Sequence, residues 1–465
     1  MNMVILLFGF IWQKAREVFS PPPAAMFKRK WPFGLVLTFI FICDVFLPVS
    51  GRAQSISSGS SSPELGRFYF TGSHRPYQYS YFREFLTGPG IGDGVKAGPV
   101  RLHPFLGVAE SYTDNVLSRN TNRRSDFVTT IAPGLQAYLP FGGGRHSVLL
   151  DYRAGQFLYK NTSQNNALAQ DVQGRLNLTF PGGLKIDLQG GHIEGFDPRG
   201  STFDTQQTDI TKWNANTILS NVEFSGPKAG IRLYSSYVDL HYKNNGQAAP
   251  RDSTLVTSNL TVFATVTPST RALLGVLLLK YNYDTNKQLD SFGYGVFTGF
   301  TLAPSQKLSG ELNIGYQILN YDRAPQAQPP GSGLSSGQNQ TTSLYMRGNL
   351  QWNPTSRFSL QAIPFSSISQ SAVQGTSSFR QTGVSISARQ KLTDRLSLRA
   401  FSSYANDKFN TNRVDNRYVF RIGPEYRTVK WLGFRLEYIF SKRSSNISDF
   451  DFYSNTVMLS IQGIL

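Results

Sequence analysis

From about Arg101 to Leu465 the chain alternates apolar and polar residues at a period of two, in long runs separated by turn-forming clusters. The final run shows it cleanly. Tyr453, Val457, Leu459, Ile461 and Leu465 share one face, while Ser454, Thr456, Ser460 and Gln462 share the other. A period of two is that of a β-strand with an apolar side and a wet side. Ordinary strands run to roughly five or six residues, whereas a tilted strand crossing a bilayer needs roughly nine to eleven. The pattern therefore predicts strands long enough to span a membrane.

The punctuation between runs is of two kinds. Short turns fall at 140–145, 181–183, 226–230, 268–271, 304–307, 354–357, 393–395 and 427–430. Three share a form: Thr267-Pro-Ser-Thr-Arg271, Ala303-Pro-Ser-Gln-Lys307 and Asn353-Pro-Thr-Ser-Arg357. Proline at the first corner followed by small polar residues suits a tight reversal. Longer polar connections lie between them at 115–125, 161–167, 198–211, 243–253, 284–290, 322–340, 370–376, 406–416 and 441–451. Short turns at one end and long loops at the other predict an all-β fold: a transmembrane, antiparallel up-and-down β-barrel of about 18 strands, with periplasmic turns and extracellular loops. A soluble β-propeller also repeats at about forty residues, but its blades hold four short strands where each repeat here holds two long ones.

Alternation also assigns the faces. Leu432, Phe434, Leu436, Tyr438 and Phe440 alternate with Gly433, Arg435 and Glu437; Leu308, Leu312, Ile314, Tyr316 and Ile318 alternate with Ser309, Glu311, Asn313 and Gln317. A cation at mid-bilayer costs roughly 2 to 4 kcal/mol, so the charged set must face the lumen. The inward cations are then Arg153, Arg175, Lys185, Arg347, Arg389, Arg399, Arg417, Arg421 and Arg435, against Asp151, Asp187, Glu311, Glu425 and Glu437. The excess predicts a basic, anion-favouring pore with Arg399, Arg421 and Arg435 as a ladder; the alternative is that these charges only pair across strands and keep a wide barrel open. Aromatics near strand ends, namely Tyr112, Tyr138, Phe141, Tyr159, Phe180, Tyr281, Tyr283, Tyr321, Trp352, Tyr404 and Trp431, fit interfacial girdles better than a ligand ladder.

The first 53 residues break the pattern. Lys28 to Lys30, the apolar 33–46 and Gly51-Arg52-Ala53 have the layout of a secretory signal, with cleavage expected after Ala53 and Met26 as a candidate start; an uncleaved anchor is the alternative. Removing this leader takes away six cations and two anions, so the formal charge of +17 falls to about +13. For an exported chain such a balance suits anionic lipid or an acidic solute rather than nucleic acid. The single cysteine, Cys43, lies inside the leader behind Ile42, too bulky for a lipoprotein site, so no disulfide framework is expected. Residues 54–100 differ again: a Ser/Gly linker, then aromatics at 68–70 and 77–85, read as a flexible periplasmic arm ahead of a barrel over 101–465.

Catalytic and cofactor signatures are sparse. The five histidines, His74, His103, His146, His192 and His241, show no ligand spacing, and no phosphate loop, dinucleotide fingerprint or nucleophile elbow stands in a suitable context. A hydrolase around His146 or His192 is the enzymatic alternative. Asp114-Asn115 and Asp197-Pro198-Arg199 open long loops, where such residues start turns far more often than they bind calcium. The reading calls for no cofactor and no metal.

Tyr112-Thr113-Asp114-Asn115-Val116, then Ser125-Asp126-Phe127 and Pro133-Gly134-Leu135, with Asp197-Pro198 some seventy residues on and a final alternating strand, resemble the putative β-barrel porin 2 family. The resemblance covers about Arg101 to Leu465; Leu465 replaces the usual terminal aromatic. It implies an outer-membrane location and an association with exopolysaccharide export. The expected function is passive diffusion of small, preferably anionic, solutes. Export of an exopolysaccharide and a non-conducting adhesive or structural barrel are the alternatives. Expected partners are outer-membrane lipid and lipopolysaccharide, the barrel assembly machinery and, on the export reading, a polysaccharide or its export complex.

Overall fold

The computed structural model describes residues 94–202, 209–243, 251–302, 307–322, 340–370 and 378–465. The expected leader and the aromatic clusters of the expected arm lie outside the described residues. Nineteen strands follow in chain order: β1 (Val95–Ala97), β2 (Val100–Thr113), β3 (Asp126–Phe141), β4 (His146–Tyr159), β5 (Ala167–Thr179), β6 (Leu184–Phe196), β7 (Lys212–Ser225), β8 (Ala229–Tyr242), β9 (Ser253–Thr267), β10 (Thr270–Tyr283), β11 (Ser291–Leu302), β12 (Leu308–Tyr321), β13 (Gln340–Thr355), β14 (Phe358–Gln370), β15 (Ser378–Lys391), β16 (Leu396–Phe409), β17 (Val414–Val429), β18 (Leu432–Ser445) and β19 (Phe452–Ile464). Strands β2 to β19 each pair antiparallel with the next, and β19 returns to β2 from Thr456 opposite Thr113 to Ile464 opposite Phe105. Eighteen strands thus close into a barrel without a free edge, which satisfies every strand's backbone groups from both sides. The final residues of the expected loose arm differ from that expectation: β1 folds back on β2, with Val95 opposite Leu102.

The turns are organised by small residues and hydroxyls. Gly142, Gly143 and Gly144 all take positive φ between β3 and β4, a region closed to most side chains. The Thr355 hydroxyl accepts from the Arg357 and Phe358 amides at 3.3 and 3.1 Å, and Thr393 does the same for Arg395 and Leu396. Pro354, expected at a turn corner, belongs instead to β13, where the register shifts between Trp352 and Thr355. A residue without an N–H is tolerated at such an irregularity because no ladder bond is needed there.

The outer wall carries the predicted apolar set: Leu436, Tyr438, Phe420, Ile314 and Tyr316 are exposed, while Arg435, Glu437, Arg421, Glu311 and Asn313 between them are buried. The inner wall is less uniformly polar than alternation suggested. Leu273 and Leu277 of β10 point inward beside Phe263, Phe297 and Tyr345, so β10 is apolar on both faces over this stretch. Glycine makes room there. A Cβ on Gly315 would lie 2.0 Å from the Val296 carbonyl oxygen, so β11 and β12 pack closer than any side chain at that position permits.

Parity also corrects the girdle. Tyr112, Phe141, Trp352, Tyr404 and Trp431 are exposed on the outside as expected. Tyr283 and Tyr321 are buried, Tyr159 packs against Phe157 and Phe196, and Tyr281 packs against Leu319. These four fall on the inward parity at the long-loop end, where they build apolar clusters inside the barrel rather than a lipid-facing belt.

Candidate pore and its constriction

In the short-turn half of the barrel the inner faces of β13 to β18 enclose a cavity of about 170 Å³. Alternation places its charged lining on the concave side: Arg389 near the end of β15, Arg399 near the start of β16, Arg421 on β17, and Arg435 and Glu437 on β18. Antiparallel register then sets Glu425 opposite Arg435 and Ser397, at the centre of the group. Its carboxylate takes Arg389 at 3.1 Å, Arg399 at 3.2 Å, and Arg427 and Arg435 at 3.3 Å each. Arg421 lies with its guanidinium 5.3 Å from the Phe401 ring centre. Among the described residues, five guanidiniums and two carboxylates leave an excess of three positive charges on this wall. Arginine keeps its charge at any physiological pH, and a wall with low-dielectric backing focuses the field into the lumen.

The other predicted pore residues are dispersed. Arg153 is buried against Asp151 on β4 with the Phe105 ring 6.0 Å away. Arg175 lies 3.7 Å from Asp187, and Lys185 is exposed at the short-turn end of β6. Arg347 stands opposite Asn313 and Phe365. Arg417 is at the long-loop end, 2.7 Å from Asp407. Glu311 takes Arg232, at 2.9 and 3.1 Å, from β8 across three intervening strands. Arg427 and Arg232 were missed by inward counting of single strands; the signal for Arg232 was only its parity with Tyr234, a buried residue of β8. Of the proposed ladder, Arg399 and Arg435 are ion-paired through Glu425, as the alternative of charges pairing across strands describes.

At the long-loop end residues 197–202, which follow β6, turn inward across the mouth. Asp197, buried, accepts the Trp213 indole N–H at 3.0 Å and Arg251 at 3.3 Å, which fixes where the loop leaves the wall. Arg199 donates to Asn165 Oδ1 at 3.1 Å. Beyond it the Thr202 hydroxyl donates to Asp407 of β16 at 3.0 Å, and Arg443 of β18 donates to the Ser201 carbonyl at 3.2 Å. A Cβ on Gly200 would meet Phe452 of β19 and Ser118 of the β2–β3 loop at under 3 Å. The loop is therefore anchored on the wall of β16 to β19, far from its own strands. Asp407 is fully buried and is also held by Gln381 at 2.7 Å. Nothing in the alternation pattern foretold this, because the loop is polar and its anchors Asp407 and Arg443 lie 205 and 242 residues from Thr202 and Ser201 in sequence.

The motif residues singled out in the sequence close the barrel and order its loops. Asp114 accepts the Asn455 amide and side chain at 2.8 and 2.7 Å across the β2–β19 seam. Asn115 donates to the Arg119 and Tyr453 carbonyls. Asp126 accepts from the Phe127, Asn161 and Thr162 amides and the Thr162 hydroxyl, all within 2.9 Å. Asp114 and Asp197 thus accept hydrogen bonds from strand and loop groups at the starts of these two loops. His146 accepts from the Thr179 amide between Phe141 and Phe180, and His192 lies 2.8 Å from Asn216. His241, Asp252 and Asp284, separate in sequence, bring ligand atoms within 4.8 Å of one another at the outer rim. Among the described residues no helix is long and apolar enough to cross a membrane.

In shape the chain is similar to OccAB3 of Acinetobacter baumannii (11% identity, TM-score 0.43, covering 79% of this chain and 99% of that one). It is also similar to a loop-deletion mutant of OmpT, an outer membrane protein of Vibrio cholerae (9% identity, TM-score 0.39, 80% and 100%). A third similarity is to the FrpB iron transporter from Neisseria meningitidis (10% identity, TM-score 0.40), where the match covers 76% of this chain and 63% of that one. No curated protein matches it by sequence. The putative beta-barrel porin 2 family matches residues 89–463, which takes in β1 and nearly the whole barrel, and the chain belongs to this family of porin-like outer-membrane barrels.

Proposed function

We propose that the chain is a channel for passive diffusion of small solutes across the outer membrane, with a preference for anions. The observation that carries this reading is the surplus of three positive charges on the inner wall around Glu425. Rings of fixed charge in a pore bias the sign of what passes. The inward-turned 197–202 segment supports small solutes over a polymer, since it occupies part of the mouth. On the same reading the chain is exported behind a leader cleaved after Ala53, is folded by the barrel assembly machinery, and sits among lipopolysaccharide and lipid through its exposed aromatic and aliphatic wall.

The test is planar-bilayer recording of the refolded chain under a potassium chloride gradient. A reversal potential of the sign set by chloride is expected, and joint replacement of Arg399, Arg421 and Arg435 by glutamate should move it toward potassium. A cation-selective wild type refutes the preference. Absence of any current refutes the channel, and favours a barrel whose mouth is held shut by the docked loop.

A further inference from the structure

We infer that His241, Asp252 and Asp284 form a binding site for a divalent transition-metal ion of the zinc class, on the outward face of the barrel at the long-loop end. The inference is independent of the channel reading, because these residues point away from the lumen.

Strand register builds the cluster. Leu240 of β8 stands opposite Ser253 of β9, and Ser253 stands opposite Tyr283 of β10. The next positions toward the rim, His241, Asp252 and Asp284, therefore lie side by side, and the Asp284 amide donates to the Asp252 carbonyl at 2.9 Å. Their parity is that of Leu233, Val262 and Leu278, which are exposed on the outer wall. Ligand atoms of the three side chains all lie within 4.8 Å of one another, and all three residues are at least partly exposed, so an ion from solution reaches them.

The contacts around the cluster leave metal-binding atoms over. His241 Nε2 lies 3.2 Å from Asp239 Oδ1, two residues back on the same face. A proton on Nε2 turns the Nδ1 lone pair toward Asp252, whose Oδ2 is 3.6 Å away. The other oxygen, Asp252 Oδ1, accepts the Tyr242 amide at 2.8 Å and so fixes that carboxylate. A separation of 3.6 Å is too long for a hydrogen bond. It is close to the edge of a tetrahedron around zinc, which is about 3.3 Å for bonds of about 2.0 to 2.1 Å. A metal-bound imidazole commonly has its second nitrogen held by a carboxylate in this way. The charge agrees. Lys243 after β8 and Lys280 on β10 pair with Glu194 and Asp322, so neither neutralises the three carboxylates around His241. The imidazole sets the metal: calcium and magnesium take oxygen ligands, whereas an imidazole with carboxylates suits zinc.

The experiment titrates zinc, calcium and magnesium separately into the refolded, detergent-solubilised full-length chain by calorimetry, with the folded barrel verified by its heat-modifiable gel mobility. Zinc is expected to bind about tenfold or more tighter than either of the others. His241→Ala and, separately, Asp284→Asn should each weaken zinc binding about tenfold or more, since losing even the outer partner of a ligand costs roughly 10- to 100-fold. The Asp284 carboxylate makes no hydrogen bond or ion pair among the described residues, so its replacement leaves the fold intact. Zinc binding that either variant leaves unchanged lies elsewhere on the chain and overturns the inference. Calcium binding as tightly as zinc overturns it too, as does the absence of any zinc binding, and neither comparison needs a variant. The reversal potential should be the same in both variants as in the wild type, which separates this site from the pore.

Discussion

Replacing Thr202 by alanine isolates the latch that holds the β6–β7 loop across the mouth. The Thr202 hydroxyl donates to Asp407 at 3.0 Å with both groups buried, and a hydrogen bond to a charged group contributes about 1.5 to 3 kcal/mol. Asp407 keeps Gln381 and Arg417, each at 2.7 Å, so the substitution leaves no uncompensated charge behind. At 1.4 kcal/mol per factor of ten, the ratio of docked to undocked loop should fall roughly 10- to 150-fold. The Ser201→Cys background reports this directly, because among the described residues the Ser201 hydroxyl is buried without a hydrogen-bond partner and Cys43 is the sequence's one natural cysteine. Maleimide labelling of Cys-substituted position 201 should accelerate by that factor when Thr202 is also replaced, and single-channel records should flicker to a larger conductance. Equal labelling rates with and without the hydroxyl would refute the reasoning: the loop would then be held by its other anchors in a way that does not pass through Asp407.

Glu425→Gln removes the one carboxylate shared by Arg389, Arg399, Arg427 and Arg435. It should lower the unfolding free energy measured in urea by an amount on the order of the 3 to 5 kcal/mol cost of breaking a buried pair and less to the extent that Arg389 and Arg399 reach water, while moving the reversal potential further toward chloride; a shift toward potassium contradicts the charge count. Asp126→Ala strips four hydrogen bonds from the β2–β3 and β4–β5 connections and should cost about 2 to 5 kcal/mol in unfolding free energy, with no change of selectivity because the residue is far from the arginine wall. Gly315→Ala places a methyl 2.0 Å from the Val296 carbonyl, and overpacking of this kind costs typically 1 to 3 kcal/mol; a gel-shift unfolding temperature equal to that of the wild type would show that β11 yields freely.

The strand order, the closure and the faces were legible in the chain itself. A lipid-facing wall tolerates no charge, so every second residue is constrained and the period of two survives through eighteen strands, with turns and loops marking each end. Asp114 and Asp126 were legible as motifs, though not as the clasp of the seam and the organiser of two loops. What the inner face does was decided only in three dimensions. Parity says that Arg389, Arg399, Arg421 and Arg435 point inward, but register and curvature decide that they converge on Glu425 while Arg153, Arg175 and Arg417 go to carboxylates elsewhere. The inner face carries no solvent penalty that would force one residue type, so Leu273, Leu277 and Phe297 can sit there beside arginines, and alternation cannot separate an apolar sector from a hydrated one. The loop across the mouth is the extreme case: Thr202 and Asp407 lie 205 residues apart, and only closure of the barrel brings their strands within reach, because bonds between distant polar residues leave no periodic trace along the chain.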